Sequence, residues 1–476
     1  MLRYEDISKT KEIKIKFKEN WLGPDYLISH LEILGYSKIK KRFESCKKSG
    51  ISFDSLVSTL LVLPIIGFNT IYSLTKSNEP NSSIAGKDSY YRFLANQHIN
   101  WRSLLMHFVK EYLVKDLLFT SPQNPTKCLI FDDTDIPKTG KTIEGVSKIF
   151  NHVNKTFYFG FKLLVAGYWN GSIFIPVDFS FHRENKNSKN KYGLTGKQRK
   201  KQKSVSRCKT TKADKRYAEL NKKKTDALIS MFSRICKRKI AVDYILIDTW
   251  FTSIGLIKKI RNINPNTHVI GMYKYNSKIK VEGQIVSLKN LRIKSVKPKR
   301  CRRLKYYYHH YISEINGVKV SVFQSRRGVN GKWHTIITTD TSLSFVKVIE
   351  IYSIRWTIEV FFKEVKQLFK LGTCQSTNFD VQIAQTTITM IQYLLTSIRY
   401  RIEAYETIGG LFRQLKQDYI ESKLNVRILA VIHQIMTFLE RITSDIDFQR
   451  IVRELINNSE VFLFSWKKET TINQVF

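Results

Sequence analysis

The stretch IYSIRWTIEVFFKEVKQLF, Ile351 to Phe369, decides how the rest of the chain is read. Ile351, Ile354, Ile358, Phe362, Val365 and Phe369 recur at helical spacing and form one apolar stripe. Tyr352, Arg355, Glu359 and Lys366 are offset by three, four and seven, so one long amphipathic helix sets them side by side. An ordinary surface helix accounts for Glu359 and Lys363 as an i,i+4 ion pair worth about 0.3 kcal/mol. It does not account for a single acid among a tyrosine, an arginine, a tryptophan and a lysine. A carboxylate that binds a cation, beside groups that bind phosphate, does: arginine supplies a bidentate fork and lysine a mobile point charge.

Two more acids follow apolar runs. CLIFD (128–132) and YILID (244–248) read as buried strands ending in Asp132 and Asp248. Carboxylates at the ends of neighbouring strands converge, as sites do in α/β sheets. With Glu359 from a helix packed on that sheet, three oxygen ligands would hold two Mg²⁺ ions, with Mn²⁺ as a substitute. Such ions, about 3.5 to 4 Å apart, activate a water or 3′-hydroxyl and stabilise the leaving oxygen at phosphorus. For any one such aspartate, a turn or cap role is the competing explanation. Asp133 and Asp135 are rivals for the first ligand; Asp132 is preferred because it directly ends the apolar run.

Length and composition agree with a large globular chain: 476 residues, 42% hydrophobic and only nine prolines, enough for a sizeable core divided into two or three parts. Eighty Lys plus Arg against forty Asp plus Glu leave +40, an excess that self-repels unless a polyanion neutralises it, and nucleic acid is the leading partner. A lysine-rich codon bias or a solvated basic surface explains part of the same charge. The six cysteines form no C-x-x-C pair, which excludes a zinc ribbon or a disulfide framework and fits reduced cytoplasmic thiols. No apolar signal segment opens the chain. The longest apolar run, LVSTLLVLPIIGF from Leu56, is too short to span a bilayer and contains Pro64. The expectation is a cytoplasmic protein without a membrane partner, nucleoid-associated when bound to DNA.

Residues 1–125 show helical periodicity, with Asp88 as the expected N-cap of a helix carrying Tyr91 and Phe93. Pro122 and Pro125 mark a boundary, after which strands dominate: KTFYFGFKLLVAGYW and SIFIPVDFSF flank the hairpin turn Asn170-Gly171. About 183–224 is a basic loop, rich in Lys and Arg and expected to be flexible without a partner. A helix is expected to resume near Ala213 and run to Lys237. Then come the Asp248 strand, a short helix (TSIGLIKKIR), the strand THVIGMYK, a β-rich insertion at about 275–332, a core strand in WHTIITTD and the Glu359 helix. Residues 375–476 read as a helical C-terminal region, a candidate for dimerisation.

The series Y-x2-R-x3-E-x6-K, filled by Tyr352, Arg355, Glu359 and Lys366, resembles the motif of bacterial insertion-sequence transposases of the DDE class. FDDTDIPKTGK resembles the first-aspartate motif of that group, with Asp132 as ligand and Thr134 following. LIDTWFTS resembles the second, with Asp248. The resemblance covers roughly Lys127 to Cys374. It implies an α/β fold: a ribonuclease-H-like catalytic core (126–374) with a β insertion, flanked by a helical N-terminal domain that binds transposon ends and a helical C-terminal region. It implies metal-dependent cleavage and strand transfer on double-stranded DNA, transposon ends and target alike, by a homodimer assembled on DNA. Relatives form a hairpin at the excised end and use an insertion-domain aromatic on a flipped base, a part open to Trp333 or to Tyr306 to Tyr308. The extra Asp133 and the long basic loop depart from the pattern. A non-cleaving DNA-binding regulator, an inactive remnant and a ribonuclease-H-like nuclease are the alternatives.

Overall fold

The computed structural model describes residues 30–421 except 48, 78–84, 117–124, 152–153, 186–191, 275, 282–283, 295–296 and 404–405. The chain forms two compact units, Met1–Leu415 and Lys416–Phe476, and the second lies almost wholly outside the described residues. The elements described below all belong to the first unit.

Five helices come first: α1 (Tyr36–Glu44), α2 (Phe53–Val62), α3 (Ile71–Lys76), α4 (Lys87–Leu94) and α5 (Trp101–Asp116). Their apolar faces meet in an aromatic cluster, where Phe53 touches Tyr36, Phe43 and Phe93, and Phe93 lies edge-on to Trp101. Helix α4 starts one residue before the expected cap. Gly86 occupies the N-cap without a side-chain bond, and Asp88 sits in the first turn, where a negative charge suits the helix dipole.

The centre is a 10-stranded sheet built on β1 (Cys128–Pro137), β2 (Ser147–Asn151), β3 (Thr156–Trp169), β4 (Phe174–His182), β5 (Tyr244–Ile247) and β6 (His268–Tyr273). Strands β1, β3 and β4 form an antiparallel meander, whose β3–β4 turn uses Gly171 at φ +101° while Asn170 Oδ1 accepts from the amides of Ser172 and Ile173. On the other edge of β1 the pairing turns parallel, β1 to β5 to β6. These strands are buried along most of their length, which is why CLIF and YILI are nearly continuous apolar runs. Contrary to expectation, β1 does not stop at Asp132. It continues to Pro137 because β3 goes on pairing with it, and only the parallel partner ends at the Phe131–Ile247 level.

The basic stretch is more ordered than its composition suggests. It contains α6 (Gly196–Lys200) and α7 (Lys212–Ala218). The Arg207 side chain, 3% exposed, is locked between Glu144 at 2.6 Å and Asp380 at 3.0 Å. The expected helix from 213 to 237 is broken: α7 passes through a 3-10 turn at Glu219–Asn221, and α8 (Lys224–Lys237) begins after an extended Lys222 and Lys223. The break occurs because the Leu220 and Lys222 carbonyls accept from the Arg183 amide and the His182 ring at the end of β4. A buried charge cluster ties α5 and α8 to β4: Asp178 takes Arg102 at 2.8 Å and Arg234 at 2.7 Å. Burial alone would raise the Asp178 pKa, and the two guanidiniums outweigh it, holding the carboxyl below its usual range.

After α9 (Ile254–Ile263) and β6 the insertion carries β7 (Lys278–Val281), β8 (Gln284–Ser287), α10 (Leu288–Lys294), β9 (Lys299–Cys301), β10 (Tyr306–Ile315) and β11 (Val318–Arg327). Its long strands extend the main sheet through β12 (His334–Thr338), which lies antiparallel to β6. Helices α11 (Phe345–Ser353), α12 (Trp356–Gln367) and α13 (Phe379–Glu403) follow. On α12, Phe361 packs against Phe174 of β4 at 4.9 Å and Tyr393 of α13 at 4.8 Å. The Gln392 amide of α13 donates to the Leu60 and Leu61 carbonyls of α2, so α13 fastens the N-terminal helices as well. No described helix is long and apolar enough to cross a membrane.

Candidate active site

The opening stretch is not one helix. It breaks at Ile354–Arg355, where i→i+3 bonds replace the α-helical ladder, from the Ile354 amide to Ile351 O through the Ile358 amide to Arg355 O. The hydroxyls of Ser353 and Thr357 bond the carbonyls of Glu350 and Ile354, the local competition by which Ser and Thr bend helices. Tyr352 therefore sits at the end of α11, while Glu359 and Lys366 lie on α12. Arg355 stands at the N-cap between them.

From this junction Arg355 reaches two acids. Its Nη1 donates to Asp132 Oδ2 at 3.0 Å and its Nη2 to Glu359 Oε1 at 2.6 Å. Further along α12, Lys366 Nζ donates to Thr134 Oγ1 at 2.6 Å. Side chains alternate along a strand, so Asp132 and Thr134 meet α12 while Asp133 and Asp135 take other partners, although all four line one cleft. Asp133 pairs with Lys224 at 2.9 Å, and Asp135 takes Lys162 and the Tyr158 hydroxyl. Asp133, the rival first ligand, thus has Lys224 rather than Arg355 as its cation.

Asp248 follows the last residue of β5, which is level with Phe131. Its Oδ1 accepts the amides of Trp250 at 3.0 Å and Phe251 at 3.1 Å, which fixes the turn after the strand with one of the two carboxylate oxygens. The Tyr352 hydroxyl donates to Ile247 O at 3.3 Å and pins the same strand end. Burial is the main cause that pushes Asp132 up to about 7, with the Asp248 and Asp133 charges adding to it and the Asp133 amide and Arg355 opposing. Burial likewise raises Asp248. Burial lowers Lys366 and raises Tyr352. Two carboxylates kept close and poorly solvated, with Arg355 as the nearest cation, form a donor set suited to a divalent cation. As the side chains lie, no group of three or more His, Cys, Asp or Glu among the described residues is arranged to hold a metal ion, since the guanidinium stands between Asp132 and Glu359.

A cleft of about 1030 Å³ opens at this edge of the sheet, lined by Asp132, Asp248, Lys366, Lys162, Lys224 and Trp250 among others. Residues 123–395, more than half of the chain, match the family model described as Transposase DDE domain. The chain belongs to the DDE transposase family. It is a DNA transposase, and enzymes of this family use divalent metal ions. A comparison with curated proteins finds no match. Among solved structures, the chain is similar to the piggyBac transposase synaptic complex with hairpin DNA seen by cryo-EM, at 11% identity and a TM-score of 0.43, covering 91% of this chain and 85% of that one.

The transposase brings Asp132, Asp248, Glu359, Tyr352, Arg355 and Lys366 to one edge of the sheet. Lys363 is exposed on α12, one turn beyond Glu359. Trp333 lies in the insertion, just before β12. Its ring is stacked on His309 at 5.4 Å, with the Arg326 and Arg292 guanidiniums 4.9 and 5.2 Å from its centroid. Lys162, Lys224 and Trp250 also line the cleft, and the sequence alone does not single them out. Trp250 lies inside the LIDTWFTS motif, whereas Lys224 is one lysine in a basic run, and only the break before α8 brings it to Asp133.

Proposed function

We propose that this transposase is of the insertion-sequence group with the Y-x2-R-x3-E-x6-K motif, and that it cuts and joins double-stranded DNA with Asp132, Asp248 and Glu359 as catalytic and metal-holding residues. The carrying observation is the Arg355 bridge: Arg355 reaches Asp132 of β1, 223 residues away in sequence, and holds Glu359 of α12 at the same time. The core is read as ribonuclease-H-like, which the sheet order β4-β3-β1-β5-β6, antiparallel then parallel, supports. Asp132 is preferred over Asp133 because the Arg355 bridge reaches Asp132, while Asp133 pairs with Lys224.

Mg²⁺, when bound by the three carboxylates, supplies the Lewis acid that activates a water or 3′-hydroxyl and neutralises the leaving oxygen. The protein's own part is positioning. Arg355 and Lys366 exchange their present partners for phosphate oxygens, Lys363 contributes charge from the exposed side of α12, and Tyr352 holds the end of β5 that carries Asp248. The Trp333 cluster, with Arg292 and Arg326, offers DNA a basic aromatic surface on the insertion. The helices before residue 125 are read as the module that grips transposon ends, with the active form a homodimer on DNA.

A supercoiled plasmid carrying the element's ends tests the reading. Excision that needs Mg²⁺ and is lost in Asp248→Ala and Glu359→Ala supports it. Cutting without joined products favours a nuclease, and binding without cutting a regulator.

A further inference from the structure

Trp250 is 58% exposed, two residues after Asp248, and it lines the cleft that Asp132 and Asp248 share. A lone exposed aromatic on a surface needs no explanation. This one, however, is tethered at its backbone and has two neighbours at its ring. Its amide is bonded to Asp248 Oδ1 at 3.0 Å, so the ring lies one side-chain length from a catalytic carboxylate. The buried ring of Phe251 abuts it edge-on at 4.7 Å and 80°. Lys224 lies over the ring, 4.8 Å from its centroid, and is itself tethered to Asp133 at 2.9 Å. Lys224, which lines the same cleft, lies over the ring and Phe251 backs its edge, yet more than half of the residue stays exposed. Trp333 differs: it is half-buried, with His309, Arg292 and Arg326 already around its ring.

A flat and partly uncovered indole beside a phosphate-cutting site matches the π-face of a nucleobase, which any base presents regardless of sequence. Since successive phosphates of one strand are only about 3.4 Å apart along the helix axis, a ring so close to Asp248 reaches just the nucleotides flanking the scissile phosphate. We infer that Trp250 stacks on the base of the nucleotide next to the phosphate that is cut, and so fixes where along the strand cleavage occurs. The inference rests on the reading of this cleft as the DNA-cleaving site. Lys224 completes the device by lying over the ring and by adding positive charge toward the same strand.

The test uses the full chain and a duplex carrying the element's own terminal repeat, with 2-aminopurine placed in turn at each position flanking the cleavage site. Wild type and Trp250→Phe should quench the probe next to the scissile phosphate; Trp250→Leu should not. Trp250→Leu should lower cleavage roughly ten- to hundred-fold, with Trp250→Phe recovering most of it and both melting like wild type. Replacing the stacked nucleotide by an abasic one should slow the wild type by a similar factor and slow Trp250→Leu no further. This arm stands even if a variant folds poorly, because it is read first on the wild type. Unchanged cleavage of the abasic DNA, quenching that persists in Trp250→Leu, or quenching only at distant positions overturns the inference. A wild type that binds and cuts no end DNA overturns the reading of the site itself.

Discussion

Asp132→Asn should make the metal-free transposase more stable at neutral pH while abolishing its activity. Asp132 is pushed up to about 7 from an ordinary 3.8, chiefly by burial and next by the Asp248 charge, with Arg355 failing to cancel them. Because the folded-state pKa is raised, the contribution of this group to stability is full below about pH 4 and is lost as pH rises through about 7. At about 1.36 kcal/mol per pH unit, ionising Asp132 costs the native state about 4 kcal/mol at most. Asparagine keeps the shape without the charge, and Arg355 retains Glu359 at 2.6 Å as a partner. The assay is urea unfolding followed by circular dichroism in excess chelator from pH 4.5 to 8. The variant should gain over wild type as pH rises and converge with it near pH 4.5. Equal stability at pH 8, or a difference that widens toward acid, refutes the reasoning.

Other expectations follow from the same geometry. Asp178→Ala takes one carboxylate from Arg102, which keeps Glu219, and the partner from Arg234, which is about a third exposed, and should cost about 3 kcal/mol in denaturant melts, with no pH between 5 and 8 restoring it. His182 is buried between Ser180 and the Lys222 carbonyl with its pKa lowered mainly by burial. Its contribution is present above the ordinary histidine range and lost as pH falls, so His182→Gln should flatten the acid side of the stability profile. A Cβ on Gly167 would overlap the ring of Phe174, itself packed on Phe361 of α12, so Gly167→Ala should cost about 1 to 3 kcal/mol and lower cleavage along with the melting temperature. Replacing Lys222, Lys223 and Lys224 by glutamine should reduce the slope of log affinity for DNA against log salt; an unchanged slope removes those lysines from the DNA path.

Much of the site was legible because its chemistry and its periodicity coincide. Asp132 and Asp248 each follow four apolar residues of a largely buried strand, and two such strands paired in parallel bring the acids level. The strand-to-helix order and the Asn170-Gly171 hairpin were readable for the same local reasons. The bend at Ile354–Arg355 was not, since helical spacing continues through it, and the hydroxyls of Ser353 and Thr357 that favour it look like ordinary helix residues in a periodicity count. Composition likewise says nothing of where a basic run finds acids. Arg207 is buried because Glu144 and Asp380, 63 and 173 residues away, meet there, so a segment that reads as a solvated loop becomes part of the packed structure.

Arg355 does more than pair along its own helix. In an unbroken helix it would stand one turn from Glu359 on a common face, a surface pair of small worth. At the N-cap of α12 it keeps that pair and reaches a strand as well, so its guanidinium bonds both Asp132 and Glu359. Those carboxylates therefore have a cation at hand before any metal arrives, and a metal ion must displace Arg355 to be held by both. Arg355→Ala removes the competitor together with a proposed phosphate ligand. Two readouts should then move in opposite directions: divalent-metal affinity, followed by metal-dependent thermal stabilisation without DNA, should rise, while cleavage should fall. Weaker metal binding in Arg355→Ala would instead mean that the guanidinium holds the two acids together for the metal rather than standing in its place.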